Sequence, residues 1–522
     1  MITPLDPDLI NAVLREIRKK RPIFLYSFPL NDLSLVERLC QPVHSPHQPL
    51  PSTHLACMNG VLYFILREFA IFQNPLGKKF KLEAFISQCE ANFNALLQTY
   101  DVLGVPSFGN ILALTLGFIK FHDQAKPLLS NPLISAAASH CQTLGYNHDS
   151  GHGNSSNSRR LFWSVYMLEK QHCFFFGRAS SIQDNDIDAN YPVHSRKPPL
   201  VLWDELLFMG IQMAKIQSKI YEGLYSKSAL GSSGSAREKK VAELRSELKH
   251  WLECKLLSMR LTQNNPSLPR LSKEIWEVKY YSILTTLLRA PTASAASTSN
   301  PGQTHLKPEC FKVARLALNR FLRCWSRVRE FNDGDFKFVE MWANWDLISS
   351  ILTPFIVITL HAIASSNSEE ISLLKNVVTT LQSIQLPPHN TSIPHLSKIC
   401  ASFTKVANGL VQQQTSVGPS SGSGPDLGWR YSQREDLLKF DHTHFDNKNE
   451  ADEKGVKRPA SSVFSFGSDE VETKSLFGQV MDTDVLDHVG EAEAEELFAI
   501  MEAWIGGLLP GMQVFGGLVG TI

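Results

Sequence analysis

Residues 158–170 read SRRLFWSVYMLEK, and the chain continues QHCFFFGRASSIQDNDIDANYP to residue 192. The polar run NSSNS before Arg159 supplies N-cap candidates in Ser156, Asn157 and Ser158, and Gly177 supplies a stop. Between them Leu161, Val165 and Leu168 form one apolar stripe, and Phe162, Tyr166 and Cys173 a second. Trp163 and Phe174 to Phe176 widen it further. A helix that is apolar on nearly every side is predicted to run through the middle of a bundle.

Asp184, Asp186 and Asp188 follow at alternate positions in a stretch read as non-helical. A calcium loop begun at Asp184 would need Gly at its sixth position and Glu at its twelfth, where Ala189 and Ser195 stand. The adjacent helical aspartates of terpene cyclases are missing too, since residue 185 is Asn. The acids are therefore expected to pair with Arg159, Arg160 or Arg178 and to cap neighbouring helices, with no metal.

Helical period dominates the first 410 residues. In HLACMNGVLYFILREFAIF, Leu55, Met58, Val61, Leu62, Ile65 and Phe69 share one face. The same spacing returns in FKLEAFISQCEANFNALLQTY, FGNILALTLGFIKF, LWDELLFMGIQMAKIQSKIYEGLY, EIWEVKYYSILTTLLR and ECFKVARLALNRFLRCWSRV. Alternating strand patterns are almost absent, so the fold class is all-α, a multi-helix bundle. SKSALGSSGSAR (226–237) and APTASAASTSNPGQTH (290–305) read as polar connectors outside the packed helices. The expected units are an N-terminal segment 1–50, a helical region 51–410, a flexible linker 411–480 and an acidic-hydrophobic segment 481–522.

Several function classes are disfavoured. Lys+Arg and Asp+Glu number 51 each, so bulk charge does not drive nucleic-acid binding. The nine cysteines are scattered without a C-x2-C pair, which predicts reduced intracellular thiols and no local zinc site. Charges in MITPLDPDLINAVLREIRKKRP occupy the place of a signal-peptide core. The uncharged run 347–366 carries Pro354 and His361 and reads as a buried helix, the one stretch that invites a membrane check. No G-x-S-x-G, Walker loop, G-x-G-x-x-G or H-E-x-x-H motif occurs, so no nucleophile or cofactor is assigned and an enzyme is not expected. His442 and His444 in DHTHFD read as a chance pair rather than metal ligands.

The central stretch resembles the middle homology region of fungal zinc-binuclear-cluster transcription regulators, the fungal-specific transcription factor domain. Arg159, Arg160, Leu161, Phe162, Trp163, Tyr166, Leu168, Lys170, Gly177, Arg178, Ile182, Asp184, Asp186, Ile187 and Asp188 fit that family's pattern, with Glu169 where Asp is usual. LISAAASHCQTLGYNHD, YYSILTTLLRAP and ECFKVARLAL resemble its flanking helices in order, extending the resemblance over roughly residues 55–365. Ser139, the His148-Asp149 order and Arg289-Ala290-Pro291 depart from it. The resemblance implies nuclear control of RNA polymerase II transcription of a metabolic or secondary-metabolite gene set. It also implies a homodimer or a family partner. Family members carry six cysteines binding two zinc ions ahead of this region; this chain has no such block. Zinc and direct DNA reading are thus expected only through a cluster missing from this chain, or DNA through a partner. A co-regulator acting through a family partner is the alternative.

Two further segments carry expectations. Arg18, Lys19, Lys20 and Arg21 form a short basic cluster that reads either as a nuclear import signal or as a solvated helix end. Between Asp441 and Ile500 there are 15 Asp/Glu against 5 Lys/Arg. Within MDTDVLDHVGEAEAEELFAIMEAWI, eight acids are interleaved with an apolar face of Leu497, Phe498, Ile500, Met501 and Trp504. That composition suits an activation segment that meets transcriptional coactivators.

Overall fold

The computed structural model describes residues 2–26, 30–40, 50–124, 126–149, 155–195, 200–256, 267–290, 306–332, 348–384 and 392–416. Among them there are helices and turns and no strand, so the fold is all-α. The first helices are α1 (Pro7–Lys19), α2 (Leu33–Cys40), α3 (Ser52–Ile71), α4 (Leu76–Lys79), α5 (Leu82–Leu97), α6 (Tyr100–Gly104), α7 (Phe108–Asp123) and α8 (Pro127–Thr143). The middle holds α9 (Ser156–Phe175), α10 (Leu200–Ile220), α11 (Lys227–Leu230), α12 (Gly234–Trp251) and α13 (Ser267–Arg289). The last are α14 (Pro308–Asn332), α15 (Ile348–Ser365), α16 (Ser368–Gln382) and α17 (Ser392–Ser416).

Two apolar cores form, and α10 serves both. Its Leu207, Ile211 and Ala214 face a core built from α1 to α9, which includes Ile10, Val61, Phe93, Leu114, Phe162 and Tyr166. Its Met209, Met213, Ile216 and Ile220 face a second core with α12 to α17, which includes Leu248, Leu287, Phe321, Phe355 and Phe403. A helix apolar over most of its circumference can fill this position. The α9–α10 crossing is close because position 210 is glycine: a Cβ there would collide with the sulfur of Met167.

The N-terminal helix is packed into the first core rather than beside it. Asp6 caps it, accepting a hydrogen bond from the Asp8 amide at 2.8 Å, and Pro7 occupies the first turn. Leu9, Ile10, Val13 and Ile17 are buried, and Thr3 exchanges backbone hydrogen bonds with the Asn92 amide group.

Three local readings need correction. Residues 226–237 do not form a connector lacking packed structure: Ser226 caps α11, Ser233 caps α12, and Ala229 is buried. The serines that looked like linker composition are N-caps, because a short polar side chain satisfies the open amides of a first helical turn. Among the described residues the helix long and apolar enough to span a membrane is α3, not the 347–366 run, and two-thirds (67%) of its apolar window is buried inside the bundle. Ile351, Phe355, Ile356 and Ile358 of α15 are buried as expected. The N-cap of α9 is Ser155, one residue before the candidates named, and its Oγ accepts from the Ser158 amide at 3.1 Å.

Candidate functional site

Helix α9 brings five ionisable side chains inside, Arg160, Tyr166, Glu169, Lys170 and His172, and each is held by a partner outside the helix. Arg160 Nη1 donates to Asp204 Oδ1 of α10 at 2.6 Å, with both side chains 4% exposed. Asp204 Oδ2 accepts from the Ser195 amide at 2.7 Å, so the pair also anchors the chain entering α10. Burial pulls the Arg160 guanidinium below its usual range while Asp204 opposes the shift. Lys170, wholly buried, donates to Ser218 Oγ at 2.8 Å and lies 3.2 Å from Asp184 Oδ1. Tyr166 donates its hydroxyl to the same Asp184 oxygen at 2.7 Å; burial and that carboxylate push its phenol strongly upward.

Glu169, buried beside Lys170, closes the turn after the helix. Its carboxylate accepts from Ser180 Oγ at 2.6 Å, from the Ser181 amide at 2.7 Å and from Ser181 Oγ at 2.9 Å. The chain reverses at Gly177, whose φ of 62° suits glycine, and the Arg178 amide closes on the Cys173 carbonyl at 2.8 Å. Arg178 lies over the Phe176 ring at 5.9 Å. Farther on, Trp163 Nε1 donates to the Asn190 carbonyl at 2.9 Å and stacks on Tyr191 at 4.6 Å.

The aspartates do not pair as the sequence suggested. Asp184 faces Lys170 and Tyr166, while Arg160 faces Asp204 and Arg159 faces Asp149 at 3.4 Å. Asp186 ends the 3-10 turn begun at Asp184, its backbone carbonyl and carboxylate accept from Asn147 Nδ2, and the Asn147 backbone carbonyl accepts from the Asp188 and Ala189 amides. Asp188 Oδ1 accepts from the Asp149 amide at 3.0 Å and meets His148 at 3.2 Å, contacts that hold its carboxyl below the usual range. Residues 176–195 therefore form a strap tied to α8, α9 and α10 by side chains. Sequence reading missed Asp204, Asn147, Ser218 and the serine cage of Glu169. The only local signal was that a buried charge on α9 requires a partner somewhere.

This arrangement positions backbone rather than substrate, since its acids and bases are spent on one another and on amides. Among the described residues no group of three His, Cys, Asp or Glu could hold a metal. The cysteines do not fit a zinc cluster: none forms a disulfide, seven are buried, and burial pushes the Cys40, Cys57 and Cys89 thiols up to about 12. Metal-binding thiolates need the opposite environment.

The remaining candidates divide. Arg18 and Lys19 lie in the last turn of α1, paired with Glu37 and Glu16 at 2.7 Å each, and Lys20 is its C-cap. Arg21 donates to the Asn31 carbonyl at 2.7 Å and covers Tyr26. The cluster is a helix end with two of its four cations engaged in ion pairs. Leu497, Phe498, Ile500, Met501, Trp504, His442, His444 and residues 291–305 lie outside the described residues.

The model of the fungal specific transcription factor domain matches residues 123–253, from the end of α7 through α12 and including the strap. This is narrower than the 55–365 of the sequence resemblance. An ABC-transporter-regulating transcription factor of Aspergillus fumigatus is 25% identical over 304 residues, 53% of this chain and 33% of that protein. Its namesake in Aspergillus oryzae matches equally, at 25% over 304 residues, 53% and 33%. An uncharacterized transcriptional regulatory protein of Schizosaccharomyces pombe is 27% identical over 203 residues, 36% of this chain and 24% of that protein. The chain thus spans about a third (33%) of the length of the first two relatives. No solved structure matches it. Residues 123–253 thus match the fungal specific transcription factor domain, and the relatives that the chain resembles are named as fungal transcriptional regulators.

Proposed function

We propose that this chain is the regulatory and activating portion of a nuclear transcription factor that controls a metabolic or secondary-metabolite gene set. The domain match over residues 123–253 is the observation that carries the reading. The names of the Aspergillus relatives favour ABC-transporter genes among the targets. The helical bundle would sense a ligand or partner, and residues 481–522 would recruit coactivators through Leu497, Phe498, Ile500, Met501 and Trp504. Acids keep such a segment solvated and draw it to basic surfaces, while the apolar face docks as it folds. DNA would be reached through a zinc cluster outside this chain or through a partner bearing one.

The test tethers the chain to a reporter promoter through a foreign DNA-binding module. Removing residues 480–522 should abolish most activation, and undiminished activation would sink the tail's role. A second reading is a co-regulator without DNA contact of its own that reaches promoters through a family partner. It predicts that promoter occupancy in cells disappears when the family partner is removed.

A further inference from the structure

The chain's neutral total conceals a division. Residues 1–416 hold 43 Lys/Arg against 32 Asp/Glu, and residues 417–522 hold 8 against 19, so +11 stands against −11. Many cations of the helical part already face acids, as in Arg18–Glu37, Lys219–Glu247, Arg245–Glu309 and Arg320–Glu277. The turn joining α3 to α5 is different. Lys78, Lys79 and Lys81 are all exposed there, and none forms an ion pair among the described residues. Glu83 is the single acid between residues 69 and 89.

The same turn exposes aromatic surface. Phe72 is 51% exposed, Phe80 and Phe85 are half-buried and meet edge to face at 6.4 Å, and Lys79 Nζ lies 5.0 Å over Phe80. Its shape is set by the backbone. Gln73 takes a φ of 48°, the Asn74 amide closes on the Phe69 carbonyl at 2.8 Å, and Asn74 Oδ1 accepts from the Leu76 amide at 2.9 Å. A basic rim around apolar rings is the complement of a segment that interleaves acids with Leu, Met and Trp.

We propose that residues 482–505 dock on this corner of their own chain. Asp482 to Glu496 would face Lys78, Lys79 and Lys81, with Leu497, Met501 and Trp504 against Phe72 and Phe80. The 65 residues from 417 to 481 are long enough to reach any face of the bundle. The consequence, though not the contact, rests on the proposed activation role: while docked, the apolar face is covered and coactivators are refused.

Carbodiimide cross-linking of the full chain, which joins lysine to carboxylate, reads the contact directly. Links from Lys78, Lys79 or Lys81 to acids 482–502 are expected at low salt, fading as salt is raised. Since K78E/K79E/K81E removes the linking amines themselves, charge dependence is read with E493Q/E495Q/E496Q, which should cut links from the three lysines to Asp482, Asp484, Asp487 and Glu491 roughly tenfold, the scale of three rim ion pairs lost. K78E/K79E/K81E carrying E493K/E495K/E496K should recover the contact, read as links from the new tail lysines to the new corner carboxylates. Reversing the exposed Lys239, Lys312 and Lys398 instead should change nothing.

Absence of these links, links mainly between isotope-labelled and unlabelled copies, or protection of the corner by duplex DNA rather than by the tail would each overturn the proposal. In the tethered reporter, K78E/K79E/K81E should raise activation severalfold, and only while residues 480–522 are present. If deletion lowers activation while the three lysines give no links to the tail and K78E/K79E/K81E leaves output unchanged, the docking fails and the activation reading stands. If links form but deletion leaves activation intact, the activation reading fails and the docking stands.

Discussion

Helices α9 and α15 both run inside the bundle, yet α9 carries Arg160, Glu169, Lys170 and His172 into the interior while α15 buries Ile351, Phe355, Ile356, Val357 and Ile358. The aliphatic helix is satisfied by any well-shaped apolar neighbour. The charged one is satisfied only by particular atoms: Asp204 at 2.6 Å, Ser218 at 2.8 Å and the Ser181 amide at 2.7 Å. Buried charge adds little net stability once desolvation is counted, but it penalises every arrangement in which a partner is displaced. That is why the strap 176–195 follows α9 so closely.

The sharpest way to break this contrast is to remove one partner. Arg160→Met leaves Asp204 buried without its cation and should cost about 3–5 kcal/mol in chemical denaturation. R160M/D204L, which removes both charges, should recover most of that loss. A double variant no better than the single would show that the pair contributes net stability. Phe355→Ala in α15 should also cost about 3–5 kcal/mol, through the cavity it leaves, with no second substitution among charged groups able to restore it.

Acid should separate the two helices further. Burial, with His122 and Arg178 nearby, brings His172 down to about 3, against an ordinary value near 6.5. Because the folded form binds the proton more weakly, His172 contributes stability above pH 6.5 that is lost as pH falls from there toward 3. The slope is about 1.4 kcal/mol per unit within that window. His172→Phe should flatten that part of the pH profile; an unchanged slope would assign the acid sensitivity elsewhere. Smaller still, Ser155→Ala should cost about 1 kcal/mol as the α9 N-cap is lost. Arg159→Ala should cost below about 1 kcal/mol, since its partner Asp149 is largely solvated.

The all-α class, the burial of α9 and the stop at Gly177 were legible because each is written in neighbouring residues: apolar period, a polar entry and a glycine. The partners of the buried charges were not. Asp204 lies 44 residues from Arg160 and Ser218 lies 48 from Lys170, and no local pattern marks either. Reading Asp184 as an arginine partner failed for that reason, since proximity in sequence favoured Arg178 while the fold offered Lys170. The serines at 226 and 233 misled in the other direction, because capping and linker compositions overlap.

The proposed role in regulating transcription is tested most directly in cells. Transcripts would be measured as the chain is depleted and restored, together with its occupancy of promoters. The account predicts that a defined set of transcripts changes promptly and that their promoters are occupied by the chain, directly or through a partner. Unchanged transcripts with no promoter occupied would contradict it.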